Sequence, residues 1–205
     1  MAKLRAAQKE MTRRLLLQAG LEQFVEKGYA ATKVDDIASA AGTTRVTFYA
    51  YFPTRAELMK ALIDEQLNER LQRMRSPEHG STALDLVDVV ADGGEEAIGA
   101  WMRATADRWP DIHPIIRIGR DAAAVEPELR NLVERWLDEA VSDIEDGLDR
   151  AGRFDPGVRH FRGVLAMAQL DYVAQHWGDA DWKIGREAML AELTASWVRL
   201  LGDPA

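Results

Sequence analysis

A short stretch of the sequence, residues 32–55, constrains the fold more than any other part of the chain. Thr32 followed three positions later by Asp35 predicts a capping box, in which side-chain oxygens satisfy free backbone N–H groups at the start of a helix. Gly42 predicts the end of that helix, because glycine adopts the left-handed backbone conformation without steric cost. A second helix follows at once, and two helices joined by so short a turn must cross at a steep angle. The pattern therefore predicts a helix-turn-helix.

The second helix of this pair exposes polar side chains. Thr43 or Thr44 can cap it, and Pro53 prevents it from continuing. Its apolar residues, which we expect to be wholly or partly buried, are Val46, Phe48 and Phe52. Hydroxyl, phenol and guanidinium groups are exposed on it and on the following turn, carried by Thr44, Arg45, Thr47, Tyr49, Tyr51, Thr54 and Arg55. Such groups suit phosphate oxygens and base edges, so this helix is a candidate for insertion into a major groove.

The charge of the chain is distributed unevenly. The formal net charge is −8, which taken alone argues against a polyanionic partner. Residues 1–60, however, contain ten Lys and Arg against six Asp and Glu, whereas the rest of the chain contains sixteen against twenty-eight. The basic end carries the helix-turn-helix, so the distribution favours nucleic acid there and a different role for the acidic remainder.

Patterns typical of catalysis and metal binding are missing from the sequence. It has no cysteine, no glycine-rich phosphate loop, no Gly-x-Ser-x-Gly and no His-x-x-x-His, and its four histidines are scattered. We therefore expect no enzyme activity, no catalytic residue, no metal site and no cofactor. The N-terminus lacks an apolar signal region, and no uncharged apolar window of about 18 residues occurs. The expectation is a soluble cytoplasmic protein with no membrane association.

Helical periodicity continues on both sides of the helix-turn-helix. A first helix is predicted from Thr12 to Lys27, preceded by a flexible basic arm over residues 1–11 and stopped by Gly28. A further helix begins near Thr54, and a breaker at residues 76–81 marks the predicted domain boundary. The chain is thus expected to divide into an arm and helix-turn-helix head at residues 1–53, a linking helix at 54–75 and a second domain at 76–205.

The second domain is also predicted to be helical, which makes the whole chain all-α. One helix is expected to end at Pro110 and a shorter one to cover residues 112–124, because proline interrupts a helix. The last two helices, which follow Asp155, are apolar around more of their circumference than one internal core requires. Such an excess predicts a partner chain, with Trp197 packed in the interface.

These features resemble a known family, the TetR/AcrR-type bacterial transcriptional regulators. The resemblance covers residues 12–62 and rests on three runs in the right order, Leu-Glu-Gln-Phe-Val-Glu-Lys-Gly-Tyr, Val-Asp-Asp-Ile-Ala-Ser-Ala-Ala-Gly and Thr-Phe-Tyr-Ala-Tyr-Phe-Pro-Thr-Arg-Ala-Glu-Leu. It implies a three-helix DNA-binding head, a helical ligand-binding and dimerisation domain, and a homodimer formed through the last two helices. Two recognition helices would then meet a palindromic DNA operator, and a ligand would release the DNA.

The same resemblance assigns DNA contacts by position. They are Thr32, Lys33, Thr43, Thr44, Arg45, Val46, Thr47, Tyr49, Tyr51 and Arg55. Tyr49 matches a tyrosine that commonly contacts phosphate, and Arg55 stands where the family usually has a lysine that binds phosphate. Val46 departs from the family, which more often has a small residue there, and could contact a thymine methyl group or simply pack.

For the effector, the resemblance implies a cavity in the second domain. Its candidate lining residues are Trp101, Met102, Trp109, Ile115, Ile116, Trp136, Met167 and Tyr172. Apolar walls with few polar groups suit a largely hydrophobic small molecule. For each of these residues the alternative is an ordinary core position.

Three other functions stay open from the sequence. A regulator without a small-molecule ligand would answer to a protein partner or to its own abundance, and its cavity would be filled or absent. A helical enzyme that acquired the motif would need converging polar groups inside the second domain. The head could also activate transcription instead of repressing it, depending on the position of the operator.

Overall fold

The computed structural model describes residues 2–67, 82–177 and 182–203. Across these ranges the chain forms nine α-helices and one π-helical turn, and no β-strand occurs in them. The helices are α1 (Ala2–Lys27), α2 (Val34–Ala40), α3 (Arg45–Tyr51), α4 (Arg55–Ala61), α5 (Thr82–Asp92), α6 (Glu95–Ala123), α7 (Pro127–Ala151), α8 (Pro156–Gln175) and α9 (Arg186–Leu201), with the π-helical turn at Leu62–Leu67. The predicted all-α fold with an N-terminal helix-turn-helix is confirmed.

The chain divides into two compact units. The first comprises Met1–Glu69 and Pro114–Val133, and the second comprises Arg70–His113 and Glu134–Ala205. The predicted breaker at residues 76–81 lies outside the described residues. The functional division at residues 53 and 75 therefore stays a prediction.

The first unit packs the three N-terminal helices around buried aromatic rings. Phe24, Tyr29 and Phe48 are at most 1% exposed. Gly20 lets α4 approach α1 closely, since a Cβ atom at this position would lie 2.6 Å from a methyl carbon of the fully buried Leu58. This packing holds α2 and α4 against α1.

The start of α1 differs from the prediction. Helix α1 begins at Ala2, so the expectation of a flexible arm is wrong for the described residues 2–11. The segment is rich in alanine, leucine, lysine, arginine and glutamine, which all have high helix propensity.

The linking helix begins as predicted and then changes its winding. The hydroxyl oxygen of Thr54 accepts the Glu57 backbone N–H at 3.0 Å, which caps α4. After Ala61 the backbone continues as the π-helical turn, where Glu65 pairs with Arg13 of α1. The predicted continuation to Arg75 lies outside the described residues.

The second unit has a separate apolar core. It is built from α5, α6, α7, α8 and α9, and its buried members are Leu86, Val90, Ile98, Met102, Ala106, Ile144, Leu148, Ala166, Leu190, Leu193, Trp197 and Leu201. Helices α5 and α7 cross at Gly147, where a Cβ atom would lie 2.8 Å from the backbone oxygen of Val87. Glycine is therefore required here by close approach of another backbone.

The predicted interface role of Trp197 is wrong. Its side chain is fully buried in the core of its own chain, where it stacks on Trp101 with ring centroids 5.3 Å apart. The apolar pattern of α9 supplies this core. Helix α8 instead exposes an apolar face, hereafter the α8 face, made of Val158, Phe161, Leu165 and Tyr172, each at least 39% exposed.

Helix α6 contradicts the prediction that a helix ends at Pro110. It runs without interruption from Glu95 to Ala123 and contains both Pro110 and Pro114. An interior proline costs about 3 kcal/mol in an isolated helix. Buried residues on both sides of the prolines, Met102, Ile112 and Ile115, show that burial outweighs that local preference.

Candidate DNA-binding surface

The turn between α2 and α3 has a defined hydrogen-bonded geometry. Gly42 has a φ of 65° and donates its N–H to the carbonyl oxygen of Ser39 at 3.0 Å, while Thr43 donates to that of Ala38 at 2.9 Å. These two bonds form a Schellman motif, as the glycine predicted. Thr44, the second of the two predicted caps, starts α3 by accepting the Thr47 N–H at 3.2 Å.

Helix α2 starts one residue later than the predicted capping box. Its N-cap is Lys33, whose backbone N–H is accepted by the Asp36 carboxylate at 2.9 Å. This bond and the Lys27 ammonium group, 3.0 Å away, hold the pKa of Asp36 below its ordinary value. The predicted pairing of Thr32 with Asp35 is wrong, because the Thr32 hydroxyl is fully buried against the carbonyl oxygen of Gly28 at 2.8 Å.

Helix α3 presents an exposed face beside a buried one. Phe48 and Phe52 are at most 3% exposed and anchor the helix, as expected. Val46, which we expected to be at least partly buried, is 80% exposed, because residues two positions apart on a helix face in different directions. Arg45 and Tyr49 are also exposed, one helical turn apart.

The remaining polar candidates surround this face. Thr44 and Lys33 are exposed, whereas Thr43, Thr47 and Tyr51 are half-buried at its edge. Together these side chains add hydroxyl groups and one ammonium group to the candidate surface, and the hydroxyl groups of Thr44 and Thr47 lie 3.0 Å apart. All of them are accessible in part to a ligand approaching α3.

Arg45 is held by side chains on two helices. Its Nη1 donates to a carboxylate oxygen of Asp35 on α2 at 3.1 Å, and its Nη2 donates to the hydroxyl oxygen of Tyr49 at 3.3 Å. Both groups keep the pKa of Arg45 above its ordinary value. Sequence reasoning had assigned Asp35 only to the helix start, because no sequence signal pairs it with a residue ten positions later.

Arg55 points inward instead of towards the exposed face. Its Nη1 donates to the backbone carbonyl oxygens of Thr32 at 2.6 Å and Tyr29 at 2.8 Å, and the guanidinium group also approaches the Glu126 carboxylate at 3.9 Å. Thr32 and Arg55 therefore hold the segment between α1 and α2 in place. Neither side chain belongs to the exposed surface where sequence reasoning placed them.

Tyr29 lies at the centre of this arrangement. Its hydroxyl group donates to the Glu126 carboxylate at 3.3 Å, and the Arg55 guanidinium carbon lies 4.2 Å from its ring centroid. Burial, partly opposed by Arg55, raises the pKa of Tyr29 to about 12. Sequence reasoning missed both Tyr29 and Glu126, because they are 97 positions apart.

The effector candidates occupy several environments. Met102, Trp109, Ile115 and Ile116 are buried, and Trp101 and Met167 are half-buried against the second unit's core. The Trp109 indole N–H donates to the Ala174 carbonyl oxygen at 2.6 Å. Tyr172 is 59% exposed, on the α8 face. The Trp136 side chain lies outside the described residues.

The structure also bears on metal sites and membrane spans. In the part of the chain that it describes, no three His, Cys, Asp or Glu side chains cluster closely enough to hold a metal ion. None of the described helices has the length and hydropathy needed to cross a membrane.

Similarity to known proteins extends over the head and beyond it. Residues 16–62 match the family model described as bacterial regulatory proteins, tetR family. The transcriptional repressor KstR2 of Mycobacterium tuberculosis is 30% identical over 155 residues, which cover 71% of this chain and 72% of that protein. The transcriptional regulator YvdT of Bacillus subtilis is 34% identical over 76 residues, which cover 35% of this chain and only 39% of that protein.

A solved structure supports the same fold. The fatty acid degradation regulator FadR from Bacillus halodurans superposes with a TM-score of 0.64 at 19% identity. The superposition covers 91% of this chain and 94% of that one.

Proposed function

Because this chain belongs to the tetR family of bacterial regulatory proteins, we propose that it is a dimeric repressor that binds a palindromic operator and is released by a hydrophobic small molecule. The observation that carries the proposal is the exposed face of α3. There Arg45, Val46 and Tyr49 project together from a helix anchored by two buried phenylalanines. Base edges and phosphates are the partners that this combination fits. A repressor acts on the bacterial chromosome, which lies in the cytoplasm, so we propose that the protein is cytoplasmic.

The proposed contacts are a subset of those expected from the sequence. They are Lys33, Thr43, Thr44, Arg45, Val46, Thr47, Tyr49 and Tyr51. Thr32 and Arg55 act indirectly, by holding the segment that leads into α2. Tyr49 keeps its own O–H for a phosphate oxygen, since it accepts a hydrogen bond from Arg45.

The α8 face supports the dimer. Phe161 is 62% exposed, and a large exposed apolar patch marks an interaction site in most proteins. A two-fold dimer buries the same patch of both protomers. Two α3 helices then meet half-sites roughly 34–36 Å apart, one turn of DNA.

The effector proposal rests on the apolar second unit. Trp101 and Met167 are half-buried at the border of its core. A hydrophobic molecule that binds this core would therefore contact these two side chains first. A regulator without an effector remains the second candidate, because Met102 and Trp109 are already packed inside. The head itself is equally suited to an activator.

Selection from a randomised duplex library tests DNA recognition directly. The wild type should enrich a palindrome, and Arg45→Ala and Tyr49→Phe should each bind it at least about tenfold more weakly while melting at an unchanged temperature. Arg14→Ala is the matched control, since Arg14 is an exposed arginine on α1 whose side chain is 74% accessible. Full affinity in both α3 variants would contradict the assigned contacts.

A thermal-shift screen tests the effector. A ligand present at about 100 times its Kd adds about 2.7 kcal/mol to the free energy of unfolding. Hits among hydrophobic metabolites should also release the selected operator. If DNA binds and no compound in a broad set shifts the melting temperature, the regulator without an effector becomes the better description.

A further inference from the structure

Asp35 and Arg45 form an ion pair within the surface proposed to bind DNA. Both side chains are exposed, by 63% and 60%. A carboxylate on such a surface repels phosphate, so its presence there weakens binding to DNA in general. Capping does not explain its contact with Arg45, because Asp36 accepts the hydrogen bond from the α2 N-cap, and the helix dipole favours an acid in this turn without directing it at an arginine. Its contact with Arg45 is therefore a feature that the start of α2 does not account for.

The pair fixes the direction of the guanidinium group. Asp35 holds Nη1 from α2, and Tyr49 holds Nη2 from the next turn of α3, with its ring centroid 5.5 Å from the guanidinium carbon. A free arginine loses rotamer entropy when a ligand orders it, whereas one that is already held loses less. Arg45 is thus already oriented for a contact that requires its guanidinium group to point in one direction.

The held guanidinium group retains the donors that guanine requires. Arginine has five N–H groups, and Asp35 and Tyr49 engage two of them. Guanine presents two acceptors in the major groove, O6 and N7, and an arginine that donates to both is the commonest specific contact there. A phosphate would gain less, because Asp35 offsets the charge of Arg45. The arrangement therefore favours a base edge.

We propose that Asp35 is a positioning residue that orients Arg45 to read a guanine in each operator half-site. The inference rests on the proposed function, since it concerns the same surface. It adds the identity of one base and the residue that selects it. Asp35 itself makes no contact with that base.

The experiment uses the selected operator with single guanines replaced by 7-deazaguanine, which lacks the N7 acceptor. For the wild type, one replacement per half-site should weaken binding about tenfold. In Arg45→Ala the same replacement should have no effect. The ratio of the two dissociation constants, modified over unmodified, measures how well the guanine is read.

Asp35→Ala should lower this ratio to less than about threefold, because the guanidinium group loses its support. Its affinity for an unrelated duplex should rise, since a negative charge has been removed. Asp35→Asn keeps an acceptor without the charge and should retain an intermediate ratio. Glu22→Ala, which removes an exposed acid from α1, should raise nonspecific affinity and leave the ratio unchanged.

Two results would overturn the inference while the proposed function stands. One is an unchanged ratio in both folded Asp35 variants, and the other is an operator in which no guanine N7 depends on Arg45. A wild type that enriches no sequence at all would defeat the proposed function itself. Melting temperatures identify any variant that fails to fold, and Asp35→Asn then decides the question.

Discussion

The guanidinium group of Arg55 stacks on the ring of Tyr29 and at the same time donates a hydrogen bond to the backbone carbonyl oxygen of that residue. The guanidinium carbon lies 4.2 Å from the ring centroid, and the hydrogen bond is 2.8 Å long. One side chain of α4 thereby ties down the segment that connects α1 to α2. The tie supports the helix-turn-helix from a position outside its exposed face.

Replacing Arg55 should therefore affect stability before it affects DNA contacts. Arg55→Ala leaves the carbonyl groups of Tyr29 and Thr32 without their donor, and the free energy of unfolding should fall by about 2–3 kcal/mol. Arg55→Lys should recover only part of this loss. An ammonium group can still donate a hydrogen bond, but it cannot reach both carbonyl oxygens with the geometry of a guanidinium group. Urea unfolding measures the change. If the Arg55→Ala variant is as stable as the wild type but binds the operator poorly, the result would instead support the direct phosphate contact expected from the sequence.

Tyr29 should make the chain sensitive to alkali. The protonated phenol is the form that the folded state favours, because burial raises its pKa to about 12 from an ordinary value near 10. Its contribution is complete below pH 10 and is lost as pH rises towards 12, by at most about 2–3 kcal/mol. Urea unfolding at a series of pH values should show this loss. Tyr29→Phe should be less stable at neutral pH and should lose less between pH 10 and 12.

Two glycines within helices should respond to alanine in opposite directions. At Gly147 an added Cβ atom would lie 2.8 Å from the Val87 backbone oxygen, so Gly147→Ala should destabilise the chain by about 1–3 kcal/mol. At Gly99 the nearest atom would be 3.4 Å away, in Thr194. Gly99→Ala should be neutral or stabilising by up to about 1 kcal/mol through helix propensity. Equal effects in thermal unfolding would show that close packing at Gly147 is unimportant.

Val46 should recognise the methyl group of a thymine. It is the most exposed large apolar side chain of α3, and the burial of about one methyl group changes an affinity by roughly fourfold. Replacing thymines of the selected operator singly by deoxyuridine should weaken wild-type binding to that extent at one position. The same replacement should not affect Val46→Ser. If every thymine tolerates loss of its methyl group, Val46 does not read the sequence.

The α8 face should hold two chains together. Phe161→Glu places a charge on it, so the variant should elute as a monomer when its mass is measured by light scattering. Leu15→Glu is the control, because Leu15 is an exposed apolar residue on α1 that the proposed dimer does not use. A wild type that is itself monomeric, or a Phe161→Glu variant that stays dimeric, would contradict the assignment of this face.

Local signals explain why the helix-turn-helix could be predicted. Gly28 and Gly42 adopt positive φ values, and Thr44 and Thr54 cap the helices that follow them. Each of these residues acts on backbone groups within a few positions along the chain. Their effect can therefore be read without knowledge of the packing.

The misses have the opposite origin. Thr32 has a hydroxyl group that could cap α2, but this group instead donates a hydrogen bond to the carbonyl oxygen of Gly28, just after α1. Trp197 belongs to the apolar pattern of α9, and such a pattern looks the same whether it packs in the core or against another chain. The Asp35–Arg45 pair depends on the crossing of two helices. In each case the outcome was decided by a residue that the turn geometry or the packing brings near.

The two prolines of α6 give that helix a preferred direction of bending. Neither Pro110 nor Pro114 has an N–H to donate, so two bonds of the helical ladder are missing. The prolines are four positions apart, and both gaps consequently fall on the same side of the helix. A helix that lacks hydrogen bonds along one side bends more easily in the plane through that side than in the plane perpendicular to it. The helix can thus flex about a defined axis while it keeps its register along the rest of its length.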